Sequence, residues 1–147
     1  MADEKLIATY HETRKELADE RSIRMGELEA AKRDLTDAQA NLTVAQERER
    51  IAIQADEEAA EKMRVMRDDL NGRLEKSEYL LAKLSRLQQD QLETSRERNA
   101  HHEVVRERQR ELERVSARHA AAVQELAEID RDIADLDEKI RDVENAG

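Results

Sequence analysis

The chain has 147 residues and a formal net charge of −10, and 42% of its residues are charged against 38% that are hydrophobic. It has no Pro, Cys, Trp or Phe and only two Tyr, so it lacks the bulky side chains that enclose a substrate pocket and the cysteines of zinc fingers. We therefore expect a protein with no enzyme activity, no cofactor and no metal site. Basic residues are interleaved with acidic ones, which argues against nucleic-acid binding, and no run approaches the ~20 apolar residues of a membrane span.

Ala, Glu, Arg and Leu dominate the composition, and all four favour helix. One heptad phase of apolar residues, stepping alternately three and four positions, runs from Ile7 to Val143 without an insertion. This phase predicts an all-α fold in which a long, nearly continuous helix forms a coiled coil, ~210 Å long if all ~140 residues belong to one helix. The positions of this phase form the seam, the stripe along which one helix packs against another. How apolar the seam residues are divides the chain into six segments. They are a weakly amphipathic N-terminal helix (1–27), a Leu/Ala coiled-coil segment (28–62), a wide-stripe segment (63–90), a polar, Arg-rich connector (91–111), a strong C-terminal segment (112–143) and a frayed tail (144–147).

The first two segments differ in what occupies their seam. In the N-terminal helix the seam positions include Arg14, Arg21 and Arg24, so this stretch should bind weakly. In the Leu/Ala segment, Leu at one seam position alternates with Ala at the other, which lets two helices approach closely. Glu49 and Asp56 then interrupt the seam.

A third heptad position becomes apolar towards the middle of the chain. In residues 53–81 it is occupied by Ile53, Ala60, Leu74 and Leu81. A two-stranded seam would leave these side chains in water. The wider stripe favours a bundle of three or more helices, or a second partner on one flank.

Two places could turn the chain into an antiparallel helical hairpin, which is the alternative to one long helix. Asn71 and Gly72 form a strong local helix breaker, although the heptad phase continues straight across them. A turn near Ser95 to His102 would instead lay residues 112–143 against residues 63–87.

The Arg-rich connector contains the only residues that suggest metal chemistry. His101, His102 and Glu103 begin like a zinc-protease helix motif, but Arg106 stands where the second histidine of that motif is needed. We therefore interpret these histidines as solvated or seam residues. The neighbouring arginines alternate with glutamates, so we interpret them as a solvated helix face.

The strong seam positions are the expected interface with partner helices. They are Leu28, Leu35, Leu42, Met63, Met66, Leu70, Leu74, Leu80, Leu81, Leu84, Leu87, Leu112, Val115, Leu126, Ile129, Ile133, Leu136, Ile140 and Val143. In a parallel, in-register homodimer Lys62 would face Arg67, and Glu125 would face Asp130, which is repulsive. The expected partners are therefore other helices, in an antiparallel homo-oligomer or a hetero-oligomer, within a larger protein assembly.

The Leu/Ala heptads with dense Arg and Glu resemble the rod segments of cytoskeletal proteins, of the tropomyosin or myosin-tail kind. The resemblance implies a structural protein of the cytoskeleton. Because a helix of this length is useful as a spacer or ruler, we expect the chain to bind along or crosslink a larger filament, of the microtubule or axonemal kind. With no secretory signal and no membrane span in the sequence, the expected location is cytoplasmic and cytoskeletal. The alternative is a coiled-coil subunit of a hetero-oligomeric tethering, trafficking or chromosome-segregation complex, with residues 53–87 as its hub.

Overall fold

The structure is a computed structural model that describes residues 3–73 and 77–146. Within these ranges the chain forms two α-helices of 68 residues each, α1 over Glu4–Asn71 and α2 over Glu78–Asn145, and no strand. Since the chain contains no Pro, no residue in either helix lacks the backbone N–H that the helix needs. The prediction of an all-α fold is confirmed.

Each helix is preceded by a residue whose side chain caps its first turn. The backbone N–H of Leu6 donates to Asp3 Oδ1 at 3.1 Å, and the N–H of Leu80 donates to Ser77 Oγ at 3.1 Å. Asp and Ser are favoured at this position because they satisfy N–H groups that have no partner within the helix. The Ser77 cap fixes where α2 starts, and it was not part of the sequence prediction.

The chain is not one nearly continuous helix, and that prediction is wrong. The helix α1 ends at Asn71, where Gly72 N–H still donates to the carbonyl of Asp68 at 3.1 Å and Arg73 N–H donates to Leu70 at 3.2 Å. The break fits the hairpin alternative at Asn71 and Gly72. The heptad phase crosses the break because seam residues on either side, such as Leu70 and Leu84, are separated by two whole heptads.

The other proposed turn, near Ser95 to His102, is also wrong because those residues lie inside α2. The chain divides into two compact units, and the residues from 113 onward are grouped with residues 1–37 instead of with residues 63–87. The first unit consists of Met1–Asp37 and Glu113–Gly147, and the second consists of Ala38–Leu112.

The first unit pairs the beginning of α1 with the end of α2 in an antiparallel arrangement. Its buried apolar residues are Leu28, Ala31, Val115, Ile129, Leu136 and Ile140. Arg14 faces Asp137, whereas Arg21, further along α1, faces the earlier residue Asp130. Because the residue number of the α2 partner falls as the residue number in α1 rises, the two helices run in opposite directions.

The second unit pairs the rest of α1 with the beginning of α2, also antiparallel. Its buried apolar residues are Ala38, Ala45, Ala52, Leu70 and Val105. Glu49 faces His102, and Asp56 faces Ser95 and Arg98. Alanines supply much of this core, so the two helices gain close approach rather than a large buried apolar area.

Candidate interaction surfaces

The residues predicted to bind partner helices lie mostly along the seam between the chain's own helices. The buried ones are Leu28, Leu70, Val115, Ile129, Leu136 and Ile140. The half-buried ones are Leu35, Leu42, Met63, Met66, Leu80, Leu84, Leu87, Leu112, Leu126, Ile133 and Val143. Leu81 is 47% exposed, and Leu74 lies outside the described residues. Within each unit, these seam residues pack α1 against α2.

Arginines at seam positions of α1 pair with carboxylates of α2 in the first unit. Arg14 Nε lies 2.5 Å from Asp137 Oδ1, and Arg21 Nε lies 2.5 Å from Asp130 Oδ1. The hydrogen bond to Asp137 raises the pKa of Arg14 above its ordinary value, and the charge of Asp137 acts in the same direction. Partly exposed pairs of this kind add little stability each, but they select which residues can face each other.

A polar cluster around Asp56 joins the helices of the second unit. The Asp56 side chain is only 13% exposed, and its carboxylate lies 2.8 Å from Ser95 Oγ, 3.1 Å from Thr94 Oγ1 and 3.2 Å from an Arg98 guanidinium nitrogen. The hydrogen bond from Ser95 does most to lower the pKa of Asp56, and the bonds from Arg98 and Thr94 add to it. An acid at a seam position is therefore stabilised by donors on the opposite helix.

Two of the four histidines each face one carboxylate. His102 Nδ1 lies 3.1 Å from Glu49 Oε2 in the second unit, and His11 Nε2 lies 3.7 Å from Glu144 Oε1 in the first. Among the residues that the structure describes, no group of three or more His, Asp or Glu side chains is placed to hold a metal ion. His101 is half-buried at a seam position.

Two neighbouring open grooves lie on one side of the second unit. One is lined by Glu61, Lys62, Val65, Met66, Lys83 and Leu87, and the other by Ala55, Glu58, Ala59, Lys62, Leu87, Asp90 and Thr94. With Leu70 taken as heptad position a, the outer lining residues of both grooves occupy mainly positions c and g. We name this side of the second unit, with its c and g residues on both helices, the groove face.

Exposed aliphatic residues repeat on the groove face, and the predicted interface omitted them. Val44, Ile51 and Val65 all occupy position c of α1 and are 49%, 55% and 53% exposed. Their spacing of seven and fourteen residues was the available signal. They were overlooked because the predicted interface followed the seam and the one position beside it.

The opposite flank of the second unit carries its own exposed apolar residues on α2. Leu81 is 47% exposed and Leu92 is 59% exposed, and their spacing of eleven residues places them on one face of α2. Ile53 and Ala60 of α1, at the same heptad position as Leu81, are half-buried. This is the flank that the wide apolar stripe predicts.

A groove in the first unit forms where alanines face each other between the two helices. Its lining is Arg24, Glu27, Ala30, Ala31, Arg118, Ala121, Ala122 and Glu125. Ion pairs from Arg24 to Glu125 and from Arg118 to Asp34 connect the two helices beside it. The alanines leave space between helices that the charged side chains tie together.

No helix within the described ranges carries a stretch that is long and apolar enough to cross a membrane. No family model, curated protein or solved structure matches the chain. What the chain does must therefore be inferred from its own seam, ion pairs and exposed faces.

Proposed function

We propose that this chain is a non-catalytic scaffold protein that folds as an antiparallel coiled-coil hairpin and binds helices of other proteins, as a subunit of a larger hetero-oligomeric assembly. The observation that supports this proposal is the packing of α1 against α2 along the heptad seam in each unit. A chain that closes its own seam needs no partner in order to become helical. Its exposed apolar side chains are then available for binding.

The flank that carries Leu81 and Leu92 suits a partner helix. A helix that docks against two others buries apolar residues spaced by whole numbers of turns, and these leucines have that spacing. Half-buried Ile53 and Ala60 extend the apolar surface across to α1. We therefore place the hub of the assembly on this flank, within residues 53–92.

A second candidate is binding along or crosslinking a cytoskeletal filament of the microtubule or axonemal kind, in the cytoplasm. The two 68-residue helices favour it, because they are far longer than the ~10 to 14 residues usual in globular proteins and suit repeated contacts. We rank it second because the break after Asn71 removes the single long helix on which a spacer or ruler role depended.

Site-specific photo-crosslinking in cells that naturally contain the protein tests both candidates. A photo-crosslinking amino acid replaces Leu92, and the same amino acid replaces the exposed residue Glu103 in a control chain. We expect crosslinks from position 92 to helical segments of a small set of other proteins, and only background from position 103. Crosslinks to filament subunits would favour the second candidate, and identical background from both positions would contradict both.

Circular dichroism over a wide range of protein concentration tests the folding step separately. If the seam closes within one chain, helicity does not depend on concentration. Helicity that rises with concentration would show that the seam needs a second chain, and the hairpin scaffold would be excluded.

A further inference from the structure

We propose that the groove face of the second unit binds the groove face of a second copy of this chain, with the two copies antiparallel. The inference does not depend on the binding of other proteins, for which we propose the opposite flank. It rests on the order of charges along the groove face, on the level at which the two helices meet, and on the exposed apolar residues beside those charges.

The groove face of α2 carries basic residues followed by acidic ones. Its c and g positions from residue 79 to residue 100 are, in order, Tyr79, Lys83, Arg86, Asp90, Glu93, Glu97 and Ala100. Within the described part of the chain, Lys83, Arg86, Glu93 and Glu97 form no ion pair. These charges are therefore available to a partner.

This order of charges complements the same order on a second copy that runs in the opposite direction. In an antiparallel pair centred on Asp90, Lys83 lies opposite Glu97 of the second copy, and Arg86 lies opposite Glu93 of the second copy. The two-fold axis repeats both contacts, so four attractive pairs form in all. Charge complementarity of this kind selects a partner and its orientation.

The charges on the groove face of α1 also match those of a reversed second copy, and the centre of this match lies at the height of Asp90. Glu58 and Lys62 are one turn apart, so in the same antiparallel pair Glu58 lies opposite Lys62 of the second copy. Lys62 and Ala59 line the same groove as Asp90 and Leu87, so the midpoint of the α1 pattern is level with Asp90. Both helices of one copy therefore meet their counterparts with a single two-fold axis.

Apolar residues pair large against small in this arrangement. Val65, which is 53% exposed, lies opposite Ala55 of the second copy, and Tyr79, which is 74% exposed, lies opposite Ala100 of the second copy. Burial of these exposed side chains supplies the non-directional part of the attraction. The small partners leave the space that Val65 and Tyr79 need.

Orientation is decided by the like charges that each arrangement creates. A parallel second copy would place Glu58 against Glu93 of the other copy on both sides of the axis, because Glu58 lies beside the groove that Asp90 and Thr94 line. The antiparallel pair brings together only the two Asp90 side chains, on the axis. Lys62 of each copy lines the same groove as Asp90 and offsets that repulsion.

Charge reversal tests the proposed contact. One variant carries Lys83→Glu and Arg86→Glu, and the other carries Glu93→Lys and Glu97→Lys. Each variant alone would place like charges at all four contacts, so we expect the dissociation constant of its homodimer to rise about 30-fold, or ~2 kcal/mol at 25 °C. An equimolar mixture of the two variants restores opposite charges at every contact, so we expect a heterodimer of wild-type affinity.

Sedimentation equilibrium measures the masses, and circular dichroism confirms that each variant remains helical. A control chain with Arg96→Glu and Arg110→Glu has the same change in net charge as the variant with Lys83→Glu and Arg86→Glu, but at position f, away from the groove face. It should dimerise as the wild type does. A wild-type chain that stays at single-chain mass up to about 1 mM overturns the proposal. So does a dimer that both reversal variants leave intact, or a mixture that is no tighter than its components.

Discussion

The carboxylate of Asp56 on α1 lies 2.8 Å from the hydroxyl of Ser95 on α2, and this hydrogen bond does most to lower the pKa of Asp56. Thr94 and Arg98 contribute further hydrogen bonds to the same carboxylate. The Asp56 side chain, at a seam position of α1, thus links the two helices of the second unit. The strength of this link depends on whether the carboxyl group is ionised.

The first prediction concerns acid. The pKa of Asp56 lies below its ordinary value of 3.8, so its ionised form stabilises the fold above that pH. This stabilisation is lost as the pH falls through the lowered pKa of the folded state. We expect Asp56→Asn to lower the thermal midpoint at neutral pH and to reduce the further fall of the midpoint between about pH 4 and about pH 2. Thermal melts followed by circular dichroism measure both, and a variant whose midpoint falls with pH as steeply as the wild type would contradict the assignment.

A second prediction uses the ion pair between Arg14 and Asp137 in the first unit. Arg14→Asp places two acids together and Asp137→Arg places two bases together, so each single variant should lower the thermal midpoint. The double variant restores opposite charges across the seam and should recover most of the loss. Denaturant unfolding of the four chains gives the coupling free energy between the two positions. A coupling of zero would mean that the pair, although formed, does not help to hold the helices together.

The third prediction tests the apolar seam of the first unit. Ile129 is only 7% exposed and Ile133 is half-buried. Ile129→Asp combined with Ile133→Asp should therefore lower the free energy of unfolding by more than about 4 kcal/mol, because the new charges would have no partner in the seam. Val123 is 46% exposed, and Val123→Asp serves as the control, with an expected change within about 0.5 kcal/mol. Equal stability of the two variants would place the seam elsewhere.

A fourth prediction concerns the two described glycines. Gly26 lies within α1 with nothing within 4 Å of an added Cβ, so Gly26→Ala should raise the free energy of unfolding by ~1 kcal/mol. At Gly72 an added Cβ would lie 3.6 Å from the Asp68 carbonyl oxygen, an ordinary contact, and φ is not positive. Gly72→Ala should therefore leave stability unchanged or slightly higher. A large loss at position 72, measured by urea unfolding, would show that the turn requires glycine.

Helix content could be predicted from the sequence, because the absence of proline and the heptad phase agree along the whole chain. The phase also marks which residues are covered, such as Leu28 and Ile129. It does not say what covers them, since a hairpin and a pair of chains need the same pattern. Asn71 and Gly72 gave a breaker signal that the continuous phase opposed. Ser77 favours a break over one continuous helix, because a capping serine marks the start of a new helix.

The candidate surfaces were less predictable. Arg14 at a seam position looks unfavourable until the direction of the facing helix is known, because only an antiparallel α2 brings Asp137 to it. Val44 and Ile51 lie outside the seam positions, and nothing in one helix says which of its sides faces a groove. The arrangement of two helices turns such residues into a face, and that arrangement is tertiary information.

The pairing of α1 with α2 in the first unit places the early turns of α1 beside the last turn of α2. His11 Nε2 lies 3.7 Å from Glu144 Oε1, one from the early turns of α1 and the other from the last turn of α2. A host protein that carried this sequence in place of a surface loop would need only two closely spaced attachment points. Two helices paired in this way could be inserted into another fold without forcing its own attachment points apart.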